Sequence, residues 1–454
     1  MNTPKLTQQS ISDVGAEIRA GKTTASEVVR AALSAVDALD KSLRAFVTVD
    51  RDGALASAAK ADEELIAGLD RGPLHGIPIA VKDNLPTAGL RTTYNSRAYA
   101  SWVPRDDCAP VARLRAAGAV IIGKTNLNQF GWSVPSDDDL MAPPRNPWNQ
   151  AYAAVGSSSG SGAAVSAGMV MAALGTDGGG SIRLPASQMG LVGLKPSRGS
   201  VPGHGSVHDE ISVVGVVART AVDAAVVYNA IANKPCAGLA GGLAGIKVAV
   251  PVRQVVEAGS EPDVTASFNA DLQVLNDLGA NIVEIDLPYL GVARDATIIM
   301  ICALQHALHA RDVRQRPEAL GRSALLYQMQ GAALSAADYI NAQRMGLLFA
   351  AELDTTMGDC ALVATPVSPV VTAEAARRPG EHGKGKNAIF TAPFNLIGWP
   401  AISVPSSVGE LGLPIGLHLG ARPGGECLLL SAAEVYGAQT GQTSLRPPVP
   451  SARA

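Results

Sequence analysis

The chain has 454 residues, 47% of them hydrophobic and 17% charged, with a formal net charge of −3. That is enough apolar side chain for two to four domains or for one large α/β unit. The sequence carries no long basic run and no basic patch interleaved with aromatics, which argues against nucleic acid as a partner. Its longest apolar runs contain Gly or are too short to span a bilayer.

In chain order, residues 10–40 predict two helices, the second opened by Thr24 and Glu27 at capping-box spacing ahead of EVVRAALSAVDAL. An Ala-rich stretch near 52–68 predicts a third. In GPLHGIPIAVKDN, Pro and Gly punctuate a short β-rich run from Ile77 to Val81 that ends at Lys82. PVARLRAAGAVIIGKTN reads as a helix, a Gly stop and a buried strand, and MAALGTD as a strand running into three glycines. Further on, IKVAVP, a helical stretch near 262–278 and ANIVEIDLP make a strand–helix–strand unit. CALVATP, AISVPSSV and PIGLHLGA add strands towards the end. Strands alternating with helices argue for an α/β fold, a single large domain over 1–445 with a mixed central β-sheet covered by helices on both faces. The segment 290–350, helical and without strand signal, is expected to form a lobe over the active site. CAGLAGGLAG (236–245) is the best candidate for a seam, and the tail 446–454 is expected to be disordered.

Five cysteines, Cys108, Cys236, Cys302, Cys360 and Cys427, are scattered, odd in number and without a CxxC pair, which predicts buried reduced thiols. The stretch MNTPKLTQQSISD lacks the apolar core of a signal peptide, so a cytoplasmic location is expected.

The candidate chemistry lies in two glycine-rich segments, VGSSSGSGAAV (155–165) and GTDGGGSI (175–182). A phosphate cradle would close on GKS or GKT, or open a helix with GxGxxG, and neither pattern is present. Gly156 to Gly160 satisfies the G-x-S-x-G of a nucleophile elbow, but the preceding PRNPWNQAYAA reads as loop rather than strand. The third reading is a serine hydrolase that uses lysine as its base.

For this third reading the resemblance is specific. GSSSGSGAAVSAGMVMAALGTDGGGSIRLPASQMGLVGLKPSRG resembles the signature of the amidase signature family, and the upstream GIPIAVKDN resembles that family's lysine segment. ARLRAAGAVIIGKTNLNQF, ARTAVDAA and PFNLIGWPAISVP with GLPIGLHLGA extend the likeness over roughly residues 10–435. The resemblance implies a Ser–Ser–Lys triad. Ser181 would be the nucleophile, Ser157 a bridging serine held in a cis peptide, and Lys82 the base. It also implies an amide hydrolase without metal or organic cofactor. Val155 and Ser159 stand where members carry Gly, and Gly178 where they usually carry Thr or a similar residue. None of these departures removes a triad member.

The chemistry agrees. A serine hydroxyl needs a base to become a nucleophile, and lysine can serve only when burial keeps it neutral. Lys82 ends the apolar run IPIAV, a suitable place. Backbone N–H groups of Gly178, Gly179, Gly180 and Ser181 could meet an oxyanion where no Cβ obstructs it. Arg183 is expected to pair with Asp177 and fix the loop. His306 and His309 read as ordinary histidines, His204 and His208 as part of a loop at the mouth of the site, and Asp137–Asp139 as a solvated tip.

For substrate contacts, Trp132, Met141, Tyr152, Ile299, Met300 and Trp399 are the candidates, an apolar wall suited to an aryl or alkyl amide. The expected function is hydrolysis of a small-molecule carboxamide through an acyl-enzyme on Ser181, with no nucleic acid or membrane partner and a homodimer left open. Carbamates, ureas and esters suit the same machinery. Two rivals stand beside this reading: a glutaminase subunit of an amidotransferase complex, and a catalytically idle binding protein.

Overall fold

Thr24 caps the helix Ala25–Leu43 as its spacing predicts: its side chain accepts from the Glu27 N–H, and the Glu27 carboxylate accepts from the Thr24 N–H. The computed structural model describes residues 7–133, 136, 138–203, 207–239, 241–371 and 386–448. The strands are β1 (Phe46–Val49), β2 (Pro78–Lys82), β3 (Val120–Thr125), β4 (Ala172–Asp177), β5 (Val192–Lys195), β6 (Val213–Ala218), β7 (Lys247–Val250), β8 (Asn281–Glu284), β9 (Leu362–Pro366), β10 (Ala401–Val408) and β11 (Pro414–Ala421). Among the described residues they form one 11-stranded sheet in the order β1-β3-β2-β4-β6-β5-β10-β11-β9-β7-β8. β2 lies parallel to both β3 and β4, β7 parallel to β8 and β9, and the remaining pairs are antiparallel. The sheet is therefore mixed, as expected.

Period-two alternation divides the core between the two faces. Ile79, Val81, Leu174 and Val216 pack into one cluster, with Val14, Val111, Val227 and Leu429 from helices. Ala80, Ala173 and Val217 pack into the other, with Val29, Ala58 and Ala164. Lys82, two residues beyond Ala80, falls on that second face, beside the helix Ser159–Ser166. Three helices, Leu290–Gln315, Arg322–Ala332 and Ala336–Met357, make up the expected lobe.

The proposed seam at 236–245 does not divide the sheet, because β7 continues it by pairing with β9. The cysteine expectation needs correction as well. Cys236, shortly after the helix Ala221–Ile231, is disulfide-bonded to Cys427 in the helix Glu426–Thr440, with Cα atoms 5.5 Å apart. These two helices pack together, a proximity that a separation of 191 residues hides from the sequence. Cys108, Cys302 and Cys360 are free and buried. Among the described residues no helix is long and apolar enough to cross a membrane. His204 and residues 449–454 lie outside the described residues.

Candidate active site

Parallel register sets the site. Val81 pairs with Leu174 across β2 and β4, so Lys82 and the Thr176–Asp177 end of β4 arrive together at the carboxyl edge of the sheet. Lys82 is fully buried, and its Nζ donates to Ser157 Oγ at 2.7 Å, to Thr176 Oγ1 at 2.9 Å and to the Thr176 carbonyl at 3.4 Å. Burial pushes the ammonium down to about 7, against a smaller opposing pull from the Asp177 carboxylate. The site thus holds an amine that is neutral in a large fraction of molecules near neutral pH. Activity that needs the free amine is expected to rise as pH increases through about 7 and to fall on the acid side. A pH profile of kcat/KM that stays flat from about pH 5 to about pH 8 would contradict a neutral lysine here.

Ser157 follows a cis peptide bond from Gly156. A Cβ at Gly156 would collide with the Asn128 carboxamide, so only glycine fits this approach. The Ser158 N–H donates to the Ser181 carbonyl at 3.1 Å, tying the two serine segments together. Exposure falls along the row: Ser181 is half-buried, Ser157 is 4% exposed and Lys82 0%. Ser157 and Ser181 line the same pocket, of about 410 Å³ counted to its open mouth.

The Asp177 carboxylate organises the turn that carries Ser181. It accepts from the N–H groups of Gly180 at 2.7 Å, Ile182 at 3.1 Å and Arg183 at 3.4 Å, and from the Arg183 guanidinium at 2.9 and 3.0 Å. Burial alone would raise the Asp177 carboxyl, but the adjoining guanidinium outweighs it and holds the group below the ordinary carboxylate range. Arg183, also fully buried, donates further to the Thr391 carbonyl at 2.9 Å and Asn395 Oδ1 at 2.6 Å. His418 Nε2 lies 2.9 Å from Nη1. Guanidinium has no acceptor, so His418 must accept at Nε2 and carry its proton on Nδ1, which faces Thr365 Oγ1 at 3.1 Å.

The oxyanion expectation needs one change. The Gly180 N–H points to Asp177 rather than to the pocket, and Gly180 is absent from the pocket wall, whereas Gly178 and Gly179 line it. Gly180 sits at φ +126, and a Cβ there would meet Thr391.

Of the six residues expected to contact substrate, the structure brings Trp132 to the pocket and puts five elsewhere. Met141 bonds through its backbone to Asn95. Tyr152 packs with Val264, Val371, Leu413 and Ile415 in a separate cluster. Ile299, Met300 and Trp399 face the main core. The lobe helix instead presents Ile301 and Gln305, one helical turn apart, while 299 and 300 are rotated away from that face. Other residues missed by the sequence reading are Asn84, two positions after Lys82, and Thr176, next to Asp177. Their signal was present in KDN and GTDGGG, but neither residue type announces a role by itself.

His309 stacks on Phe130 with ring centroids 3.8 Å apart and lies 3.4 Å from Asp312. Among the described residues no three His, Cys, Asp or Glu side chains gather as a metal site. In the acidic run expected to be solvated, Asp139 is instead buried, and Asp137 lies outside the described residues.

A buried amine touching one hydroxyl, beside a glycine-rich turn bearing another, is an arrangement suited to acyl transfer. The model of the Amidase family matches residues 27–430, and the chain belongs to that family, whose enzymes act on amide C–N bonds. A glutamyl-tRNA(Gln) amidotransferase subunit from Desulforapulum autotrophicum is 35% identical, over 95% of this chain and 97% of that one. A crystal structure of an amidase superposes with a TM-score of 0.87 at 28% identity, covering 95% of this chain and 100% of the other. The crystal structure of the like-named protein from Thermotoga maritima gives a TM-score of 0.76 at 28% identity, covering 95% and 94%.

Proposed function

We propose that the chain hydrolyses a carboxamide through a covalent acyl-enzyme on Ser181, with Ser157 and Lys82 relaying the proton. The observation that carries this is the 2.7 Å contact between a fully buried lysine and Ser157, in the pocket that Ser181 also lines. With the amine neutral, the Ser157 hydroxyl would donate to the Nζ lone pair and in turn accept the Ser181 proton. Ser181 Oγ would then bond to the carbonyl carbon. The C–N bond would break as Ser157 protonates the departing nitrogen, and water would release the acid by the reverse relay. As oxyanion donors we assign the amides of Gly178, Gly179 and Ser181, each worth about 3 kcal/mol of barrier. None of the described residues lining the pocket is charged, which favours an uncharged group against Trp132, Ile211 and Ile301.

A second reading, the glutaminase component of an amidotransferase, has the sequence comparison in its favour: 35% identity over nearly the whole length of such a component. It implies a protein partner and a charged substrate, for which the uncharged lining offers no obvious clamp. Either role would suit a cytoplasmic protein, where Cys236 and Cys427 would be kept as two thiols.

One experiment tests the shared chemistry and another separates the readings. A fluorophosphonate should label the wild-type protein at Ser181, and Ser181→Ala should lose both label and turnover by about 10⁴-fold or more while remaining folded. Labelling at another residue would overturn the assignment. Ammonia release from free glutamine by the isolated chain, outpacing release from neutral aryl and alkyl amides, would favour the amidotransferase reading. So would co-purification with a second protein chain.

A further inference from the structure

Asn84 carries a feature that the relay does not use. Its Nδ2 donates to Thr176 Oγ1 at 3.0 Å, the same oxygen that accepts from Lys82 at 2.9 Å. Its Oδ1 is buried and has no hydrogen-bond partner among the described residues, although Asn84 is only 7% exposed. A buried carbonyl acceptor left unpaired costs roughly 1–3 kcal/mol, so an interaction that satisfies it is worth about as much. Asn84 lines the same pocket as Ser157 and Ser181. Gly131, at φ +75, keeps the corner between them open: a Cβ there would sit 3.6 Å from Asn84 Nδ2 and 3.6 Å from Ser157 Oγ.

We propose that Asn84 Oδ1 accepts an N–H of the scissile amide and makes the site selective for amides that carry at least one hydrogen on nitrogen. The inference rests on the acyl-enzyme reading above. In that reading the departing nitrogen must lie against Ser157, its proton donor, and Asn84 flanks that position. An acceptor gripping the N–H turns the nitrogen lone pair, as it pyramidalises, towards the Ser157 hydroxyl. The proton then passes from Ser157 Oγ to nitrogen while the N–H held by Asn84 stays in place. An ester has no N–H at this atom and leaves Oδ1 unpaired, so it gains nothing from the contact. Thr176 holds the carboxamide in this orientation through Nδ2, which makes Thr176 a positioning residue for both Lys82 and Asn84.

The test compares an N-methylamide with the methyl ester of the same neutral aryl acid, using wild type and Asn84→Ala. The expected result is a fall of about 10-fold or more in kcat/KM for the amide, with the ester changed much less, so that the amide-to-ester ratio drops. A purely structural role for Asn84, acting through Thr176 and Lys82, would lower both substrates equally, and that result overturns the proposal. Should Asn84→Ala fail to fold, the wild type alone decides. It should discriminate against the N,N-dimethylamide relative to the N-methylamide, after correction for their alkaline hydrolysis rates, and equal rates overturn the idea. Ester turnover that survives Ser181→Ala would instead remove the acyl-enzyme reading, so the two failures are distinguishable.

Discussion

Lys82→Ala is expected to lower kcat/KM by about 10³-fold or more at neutral pH while leaving the fold intact. The side chain is fully buried and touches only Ser157 and Thr176 through its Nζ. Its removal takes away the one group placed to accept the Ser157 proton, and a general base contributes about 10²–10⁴-fold. Truncation also removes an amine whose charging in this pocket is penalised by burial, so stability should change less than for a buried aliphatic of that size. Lys82→Arg should not restore the rate, because a guanidinium stays protonated and cannot act as a base. Steady-state kinetics beside a denaturant titration would decide. Near-wild-type turnover by folded Lys82→Ala would remove lysine from the reaction altogether.

Arg183→Met is expected to cost about 3–5 kcal/mol of stability, the loss seen when one member of a buried ion pair is deleted. The guanidinium meets Asp177, Thr391, Asn395 and His418, all inside the protein. Methionine would fill much of the volume but leave Asp177 charged and buried, with only the amides of the turn to satisfy it. Lysine is a poor substitute, since one ammonium cannot serve both carboxylate oxygens and two carbonyls in a fixed plane. The shift in denaturation midpoint at unchanged slope measures the effect. A change under about 1 kcal/mol would mean that the pair is not holding the turn.

The elements that a sequence reader finds most easily here are those with a strong local signature. The capping box at Thr24 and Glu27 and the helix–Gly–strand pattern ending in β3 were legible because capping and periodicity act within a few residues. The Asp177–Arg183 pair was legible for the same reason, six positions apart in one turn. β1, β5 and β6 were not: the first two are only four residues long, and β6 is interrupted by Gly215. The lining of the pocket was missed for a geometric reason. Ile299 and Met300 looked equivalent to Ile301 by composition, and the rotation of the lobe helix, which selects 301 and 305, is fixed by packing against elements far away in the chain. Gly180 was misread because a run of three glycines does not reveal which amide turns inward to a carboxylate.

The reactive groups and the frame that braces them come from different parts of the chain. Lys82, Ser157 and Ser181 lie in its first half, whereas Arg183 is clasped by Thr391, Asn395 and His418, near the end. During synthesis, which runs from the amino terminus, the three groups therefore emerge well before the residues that stiffen the serine-bearing turn. A nascent polypeptide carries its reactive parts unassembled until β10 and β11 close the sheet beside β5, so completion of the sheet and arming of the nucleophile are coupled in one late event.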